Sequence, residues 1–531
     1  MLKRFRWLAG LTVAALLFSA CTGGGSNSNA GSSSGSSASG QVDRSGTVRY
    51  AYVAVPPDLS PYGPAGDGIN SATTVFPIYD RLMMIGSAEN PASTEISPML
   101  AKSWEYSDDG LTFTVHLRDD VKFHDGTPVN ADAVKASLER AKQSTHQPAS
   151  LLKNVTAVDV VDEHTAALHL SQADATLPAA LATQAGVVIN PKVLSDPTID
   201  LKSPPQAAGS GPWVVSDFKP TVSVTYDRAS DAYWDKNAGL LKQIVISGIP
   251  ETTTRLSGLQ AGDYDMIFLA STAVPEGDQL AKSGQFQQQK INSINVSGLL
   301  LRPTAPSLSN LKVRQAIASA IDRKGIGEGA MNGTCAPSNQ MYPKGTLGYD
   351  PDYKNPYAYD PKKASSLLEQ SGVANPSFNN VFPSGSTPGT IGTAVQAELS
   401  KVGITMDVHG VDPSQSVIAF NQQNFDSASN AIPGTVDPAQ ATNYALIAPF
   451  PLATGDAKLQ ALITQAAAEV DHDKREALYR QINEKVINDA LFVPICAAQF
   501  SWVGNTHLVN LDKMGLTWGS GVDFRYVGVS K

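Results

Sequence analysis

Leu100-Ala101-Lys102-Ser103-Trp104, then Ser107-Asp108-Asp109-Gly110-Leu111-Thr112-Phe113-Thr114-Val115-His116-Leu117-Arg118, then Val121-Lys122-Phe123-His124-Asp125-Gly126-Thr127-Pro128-Val129-Asn130-Ala131-Asp132-Ala133-Val134 are the residues that decide the fold. Asp109-Gly110 is a tight-turn pair, and Leu111, Phe113, Val115 and Leu117 alternate with Thr112, Thr114, His116 and Arg118. That period of two predicts a strand with one face buried and one wet, as part of a hairpin. Asp125-Gly126-Thr127-Pro128 makes a second turn, and Asn130 is a cap for a helix whose Ala133, Val134 and Leu138 recur at helical spacing.

Working outward, residues 46–52 alternate enough to open the body with a strand, and Pro56-Pro57-Asp58-Leu59-Ser60-Pro61 must be a loop leaving its end. Residues 151–170 read as a strand pair turning at Asp162-Glu163-His164. Gly209-Ser210-Gly211-Pro212-Trp213 permits backbone angles closed to other residues and suits a crossing between lobes. Residues 252–261 form a helix closed by Gly262, and Met266-Ile267-Phe268-Leu269 follows as a short apolar run, the mark of a parallel strand covered on both faces. Val313, Ile317 and Ile321 share a helix face. Asp360 and Pro361 open another helix that Gly372 closes, and residues 396–401 form a helix stopped by Gly403 ahead of the strand Ile404-Thr405-Met406-Asp407-Val408. A long amphipathic helix covers 470–486, and Phe492-Val493-Pro494-Ile495 returns toward the first lobe. The class is α/β.

At the amino end Lys3, Arg4 and Arg6 precede an apolar run from Trp7 to Phe18. The run is too short to cross a bilayer core of ~30 Å as a helix and predicts a cleaved signal peptide over residues 1–20. Residues 22–40 are almost entirely Gly, Ser and Asn. Such a segment buries too little to fold, and its root-mean-square reach is about 25 Å, from ~5–6 Å times the square root of ~19 residues. The remaining ~490 residues exceed one hydrophobic core and imply two or three lobes. The formal charge is −9, or −12 once the three leader cations are gone (−9 − 3), which argues against nucleic acid or an anionic membrane surface as partner. Three cysteines are present; beyond Cys21, Cys335 and Cys496 form an even pair that suits one disulfide or two buried thiols in an exported chain, the bridge being the expectation.

Several of these segments resemble one family in the same order. The opening stretch, Leu59-Ser60-Pro61 (Ser60 where Asp is usual), Gly209-Ser210-Gly211-Pro212-Trp213, Tyr233-Trp234, Leu259 to Asp265 and Val313-Arg314-Gln315-Ala316-Ile317 resemble the family 5, peptide/nickel type, solute-binding proteins of ABC importers. Ser19-Ala20-Cys21 resembles a lipobox, with Phe18 where Leu is usual, and implies an acylated Cys21 at the head of a tether over 21–45. The resemblance implies a type II (cluster C) periplasmic-binding fold. Lobe I would comprise 46–75, 205–290 and 497–531, an inserted domain II 76–204, and lobe III 291–496, with hinge strands between the lobes. It implies a monomer on the extracytoplasmic face of a bacterial membrane, handing an oligopeptide or small polar solute to a permease and its ATPase. A ligand-sensing or structural surface lipoprotein of the same fold is the alternative.

No catalytic constellation accompanies this pattern. Gly31-Ser32-Ser33-Ser34-Gly35 lies in the tether with no strand before it or helix after it, and Ser150 to Lys153 and Ser309 to Lys312 lack the Ser-Asp-Asn and Lys-Thr-Gly partners of penicillin-binding enzymes. There is no phosphate loop and no zinc motif, and His124-Asp125 reads as a turn anchor. No cofactor and no bare metal ion are expected, a metal carried by a small chelator staying open, and Arg314 is expected in a surface or lobe-internal ion pair, with anion binding the alternative. The resemblance places ligand contacts at Val55, Pro57 and Asp58 and at Asn430, Ile432, Gly434 and Asp437. The amino-anchoring Asp of dipeptide binders falls on Gly434, and their neighbouring Trp is absent. The expectation is a cleft that is not a standard free-amino dipeptide site, either with Asp437 as substitute anchor or with a ligand that lacks an ammonium.

Overall fold

The computed structural model describes residues 42–531 except 64–72, 88, 91–92, 423–424, 435–436 and 515–520. The expected leader, Cys21 and most of the tether therefore lie outside the described residues. After β1 (Thr47–Tyr52), the hairpin is β2 (Ala101–Tyr106) and β3 (Thr112–Leu117), and the helix is α1 (Ala131–Lys142), with the Asn130 side chain accepting the Ala133 amide. Phe113, Val115 and Leu117 are buried, but Leu111 is 41% exposed because it belongs to the turn and not to the ladder. β4 (Val155–Asp162) and β5 (Thr165–Leu170) complete an antiparallel sheet in the order β2-β3-β5-β4.

The chain then lays down β6 (Trp213–Lys219), β7 (Ser223–Arg228), β8 (Gln243–Gly248), α2 (Thr252–Ala261), β9 (Met266–Leu269) and the long β10 (Phe286–Leu301). Next come α3 (Leu311–Ala320), β11 (Cys335–Pro337), α4 (Pro361–Ser371), β12 (Ser377–Pro383), α5 (Thr387–Ser400), β13 (Thr405–Val411) and β14 (Ser427–Ile432). α6 (Pro438–Leu446), α7 (Ala457–Ala468), α8 (His472–Asn488) and β15 (Phe492–Asn505) close the lobe. α5 starts well before the expected 396 because Ser386 caps it through the Gly389 amide.

One sheet runs β13-β12-β14-β10-β15-β9-β1-β8-β7-β6, with β11 beside β15. β10 and β15 are the crossing strands: β15 pairs with lobe I strand β9 through residues 501–504, and β10 pairs with lobe III strand β14 through residues 296–301. Their mutual ladder breaks between Asn292 and Val296, which makes residues 293–295 the hinge bulge. At that break β11 pairs with β15, and Cys335 is bonded to Cys496. Alternate side chains of β10 enter two cores of lobe III: Leu299 and Leu301 join Ile317, Ile391 and Met406, while Leu300 joins Phe420, Leu459 and Phe492.

The inserted segment does not have a core of its own. Phe113, Val134 and Leu168 share one apolar cluster with Tyr50, Ile244 and Trp502 of lobe I. Their junction is also polar and closed. Asp80, fully buried, accepts from Ser210 Oγ (3.1 Å), Tyr233 Oη (2.6 Å), Trp234 Nε1 (3.0 Å) and Arg525 Nη1 (3.2 Å). Neighbouring Arg81 stacks 3.6 Å from the Phe76 centroid, and burial pulls its guanidinium down to about 10. Asp80 is thereby fully bonded, while Arg81 Nε and Arg525 Nε and Nη2 are buried without a hydrogen-bond partner, and the shared apolar cluster and these bonds tie the insertion to lobe I. Gly209 and Gly211 belong to this junction: an added Cβ would lie 2.0 Å from Ile78 O and 2.6 Å from Pro77 O respectively.

Candidate ligand cleft

Strand directions locate the cleft. β1 is parallel to β8 and β9; β9 and β10 are both antiparallel to β15, so the lobe I set runs as β10 does, toward lobe III. β12 is parallel to β13 and β14, and β14 is antiparallel to β10, so this set runs toward lobe I. The carboxyl ends of two parallel sets therefore face each other, and open α/β sheets bind ligands outside those ends. Residues 53–61 and 270–273 form one edge; residues 384–387, 433, 434 and 437 form the other. They touch where Ser271 Oγ lies 3.1 Å from Thr387 Oγ1.

The sequence-predicted residues fall on these edges with unequal exposure. Val55 and Ile432 are 3% and 1% exposed and pack in the apolar clusters, leaving only their backbone for a ligand. Pro57 is exposed, and Asp58 is buried on the same loop. Asn430, half-buried on β14, pairs with Gly298, and its Oδ1 accepts the Ala431 amide. Gly434 donates its amide to Asn295 Oδ1 (2.6 Å), and an added Cβ would sit 1.9 Å from Ile294 O. Gly434, the position that the sequence reading matched to the amino anchor of dipeptide binders, is thus sealed against the hinge. Asp437, the substitute expected from sequence, is spent elsewhere: it caps α6 through the Ala439 amide and pairs with Arg475 at 2.7 and 2.8 Å. Burial opposes the Arg475 charge, yet the Asp437 carboxylate outweighs it and raises the guanidinium above its ordinary value.

Beside the hinge lies a cavity of about 920 Å³ between Asn90, Ser93, Thr94 and Glu95 of the insertion, Asn292, Ser293 and Ile294, and the 336–353 segment of lobe III. Its lining is rich in amides and hydroxyls, with Glu95 and Lys344 its charged groups. Tyr353 lines it with a hydroxyl that has no hydrogen-bond partner and that burial raises to about 12. A second cavity of about 610 Å³ continues past Trp104, Leu347, His472 and Arg475. The Thr94 hydroxyl donates to Gly345 O between them, and the Ala175 amide reaches Ala467 O at 3.0 Å. The 336–353 wall carried no motif; its signal was length, since a long aperiodic segment inside a compact lobe tends to be functional.

The groups weighed for other chemistry are occupied. Both ring nitrogens of His124 lie 2.8 Å from carbonyl oxygens, those of Gln206 and Gly211. Arg314 donates to the carbonyls of Leu308, Ser309 and Asp489. Among the described residues His472, Asp473 and Glu476 converge at the exposed start of α8, with His472 Nδ1 already 3.1 Å from Asp473 Oδ1.

Residues 95–450 match the model of the bacterial extracellular solute-binding proteins, family 5 (middle). The chain belongs to this family. It is 28% identical over 470 residues to the probable D,D-dipeptide-binding periplasmic protein DdpA of Escherichia coli K12, covering 83% of this chain and 89% of that one. It is 30% identical over 325 residues to the glutathione-binding protein GsiB of the same strain, covering 60% and 62%. The crystal structure of NikA from Brucella suis in complex with Fe(III)-EDTA superposes with a TM-score of 0.76 at 23% identity, over 91% of this chain and 100% of that one. The family 5 fold is the type II periplasmic-binding α/β architecture, and the mixed sheet described above has that fold.

Proposed function

We propose that this family 5 protein is the lipid-anchored substrate-binding component of an ABC importer, capturing an oligopeptide or similar small polar solute and handing it to a permease driven by an ATPase. The observation that carries the reading is the pair of carboxyl edges facing across a crevice, with β10 and β15 crossing between them and a bulge at residues 293–295. Two bodies on such a hinge close when a ligand contacts both at once, and the differential affinity for the closed form sets the population shift. The names of DdpA and GsiB support a peptide-like solute. The polar lining of the larger cavity suits strand-like backbone hydrogen bonds with water-filled side-chain space. Acylation of Cys21 would tie the body to the outer face of the membrane, and the mature chain would act there as a monomer without bond chemistry.

Native mass spectrometry of protein purified from its own host tests the cargo: a retained peptide or polar solute is expected, and a nucleotide or a covalent adduct would refute the reading. Palmitate labelling of the wild type with loss of label in Cys21→Ala tests the anchor. Small-angle scattering tests closure: adding the identified cargo should shrink the radius of gyration, and an unchanged profile at saturation would reject the hinge.

A further inference from the structure

The described structure contains four buried aspartates, and three of them are satisfied. Asp80 has four donors including Arg525, Asp437 has Arg475, and Asp174 accepts from Asn154 Nδ2 (2.7 Å), the Thr176 amide (3.0 Å) and the Thr176 hydroxyl (2.6 Å). Asp58 is 5% exposed and receives one hydrogen bond, from the Ser60 amide to Oδ1 at 3.0 Å. An ionised carboxylate offers about four acceptor sites; Oδ2 takes no bond from a described residue and is not sealed from solvent, so it is open to a donor from outside. No lysine, arginine or histidine among the described residues pairs with it; of the remaining residues only the expected leader, with Lys3, Arg4 and Arg6, carries cations. Its place is the loop after β1, on the carboxyl edge that faces lobe III.

We propose that Asp58 is the acceptor for a cationic group of the solute, an ammonium or a guanidinium, and so a specificity-determining residue of the cleft. The proposal rests on the transport reading above. A buried carboxylate without a counter-charge is costly, and a cation supplied by the ligand removes that cost through a charge-assisted hydrogen bond. The lobe III positions cannot do this: Gly434 has no room for a side chain, and Asp437 is already neutralised. Recognition of positive charge thereby moves from lobe III to lobe I. The cation could be the amino terminus of a peptide or a basic side chain, since both present the same donor chemistry.

Asp58→Asn isolates the charge, because an asparagine oxygen still accepts the Ser60 amide and keeps the turn. Calorimetry on the mature full-length chain would use three probes: tetra-alanine, acetyl-tetra-alanine, and acetyl-Ala-Lys-Ala-Ala. Wild type is expected to bind one of the two charged-amine probes at least tenfold tighter than acetyl-tetra-alanine, which identifies the source of the cation. Asp58→Asn should bind all three within twofold of one another, with a ligand-free melting temperature no lower than that of wild type. A preference retained in Asp58→Asn, or a ligand-free melting temperature reduced by more than 5 °C, would overturn the assignment. Equal binding of all three by wild type would overturn it while leaving the transport reading standing; binding of none would remove the peptide reading and this proposal together.

Discussion

Replacing Gly434 tests whether the missing anchor is a free choice or a steric consequence of the hinge. In Gly434→Ala the new Cβ would lie 1.9 Å from Ile294 O and 2.1 Å from Ile294 C, where real Cβ contacts essentially never fall below 3.0 Å. One chain must therefore move by 1.1 Å (3.0 − 1.9) at the bulge that joins the lobes. Overpacking of this kind costs about 1–3 kcal/mol. The displaced amide also loses its 2.6 Å bond to Asn295, worth a further ~0.5–1.5 kcal/mol. For a lobe of roughly 200 residues each kcal/mol shifts the midpoint by about 2–4 °C, so its melting transition should fall by roughly 3–18 °C. Differential scanning calorimetry reads this directly. Gly434→Asp should fall further, since it also buries a charge, and it should gain no preference for free-amino peptides by calorimetric titration. A Gly434→Ala protein melting within 1 °C of wild type would refute the reasoning, because the hinge would then yield without cost.

Arg475→Ala leaves Asp437 buried without its cation and should cost about 3–5 kcal/mol, whereas the Asp437→Asn/Arg475→Met pair should recover much of it; urea unfolding of the single and double variants would show otherwise if their losses simply added. The disulfide closes a loop of 161 residues, nearly all of lobe III, so Cys335→Ala/Cys496→Ala should lose up to ~5 kcal/mol by loop-closure entropy and lower the lobe III transition selectively; an equal drop in both bodies would contradict the placement. Burial alone would raise the Asp125 carboxyl, but the Thr127 hydroxyl and amide, with Asn190 and Lys192, hold it at about 2. Its stabilisation is then complete above its unfolded value of 3.8 and lost as pH falls through about 2, so wild type should lose stability between pH 4 and 2 more steeply than Asp125→Asn, and parallel unfolding curves would argue against it. Ser271→Ala removes one bond between the lobes and should weaken cargo binding by about 2- to 13-fold, from ~0.5–1.5 kcal/mol; unchanged affinity would place that bond outside the closing step.

Much of the fold could be read because each local pattern had one physical solution. Asp109-Gly110 with alternating apolar residues can only turn and pair, Asn130 and Asp360 cap their helices through side-chain oxygens, and Gly262 and Gly372 end theirs at φ of 82° and 67°. The crossing strands were harder. β10 reads Phe-Gln-Gln-Gln-Lys-Ile-Asn-Ser-Ile-Asn-Val-Ser-Gly-Leu-Leu-Leu, half polar and half apolar, because its first half edges lobe I and its second half sits between two cores of lobe III. No single periodicity describes a strand that changes environment midway. The candidate contacts after β1 and around β14 came from the family resemblance; the carboxyl-edge rule needs the strand directions, which only the structure supplies. The partner of Asp437 was not, since Arg475 is brought to it by the packing of α8 and not by any spacing along the chain.

The contacts between the bodies bound how far closure can proceed unaided. Among the described residues, Ser271 with Thr387, Ala175 with Ala467 and Thr94 with Gly345 are three hydrogen bonds that join the two bodies. At ~0.5–1.5 kcal/mol each they supply about 1.5–4.5 kcal/mol. Turning a 1:99 equilibrium into 99:1 requires about 5.5 kcal/mol of differential interaction. The lobe–lobe bonds fall short of that, so they bias the hinge without latching it, and the rest must come from a solute that touches both edges. A cation on Asp58 would supply such a term from lobe I, while the amides and hydroxyls around the larger cavity, among them Asn292, Ser338 and Asn339, would supply it from the hinge and lobe III. Because neither set reaches across the crevice alone, a ligand that satisfies only one of them would bind without closing the protein.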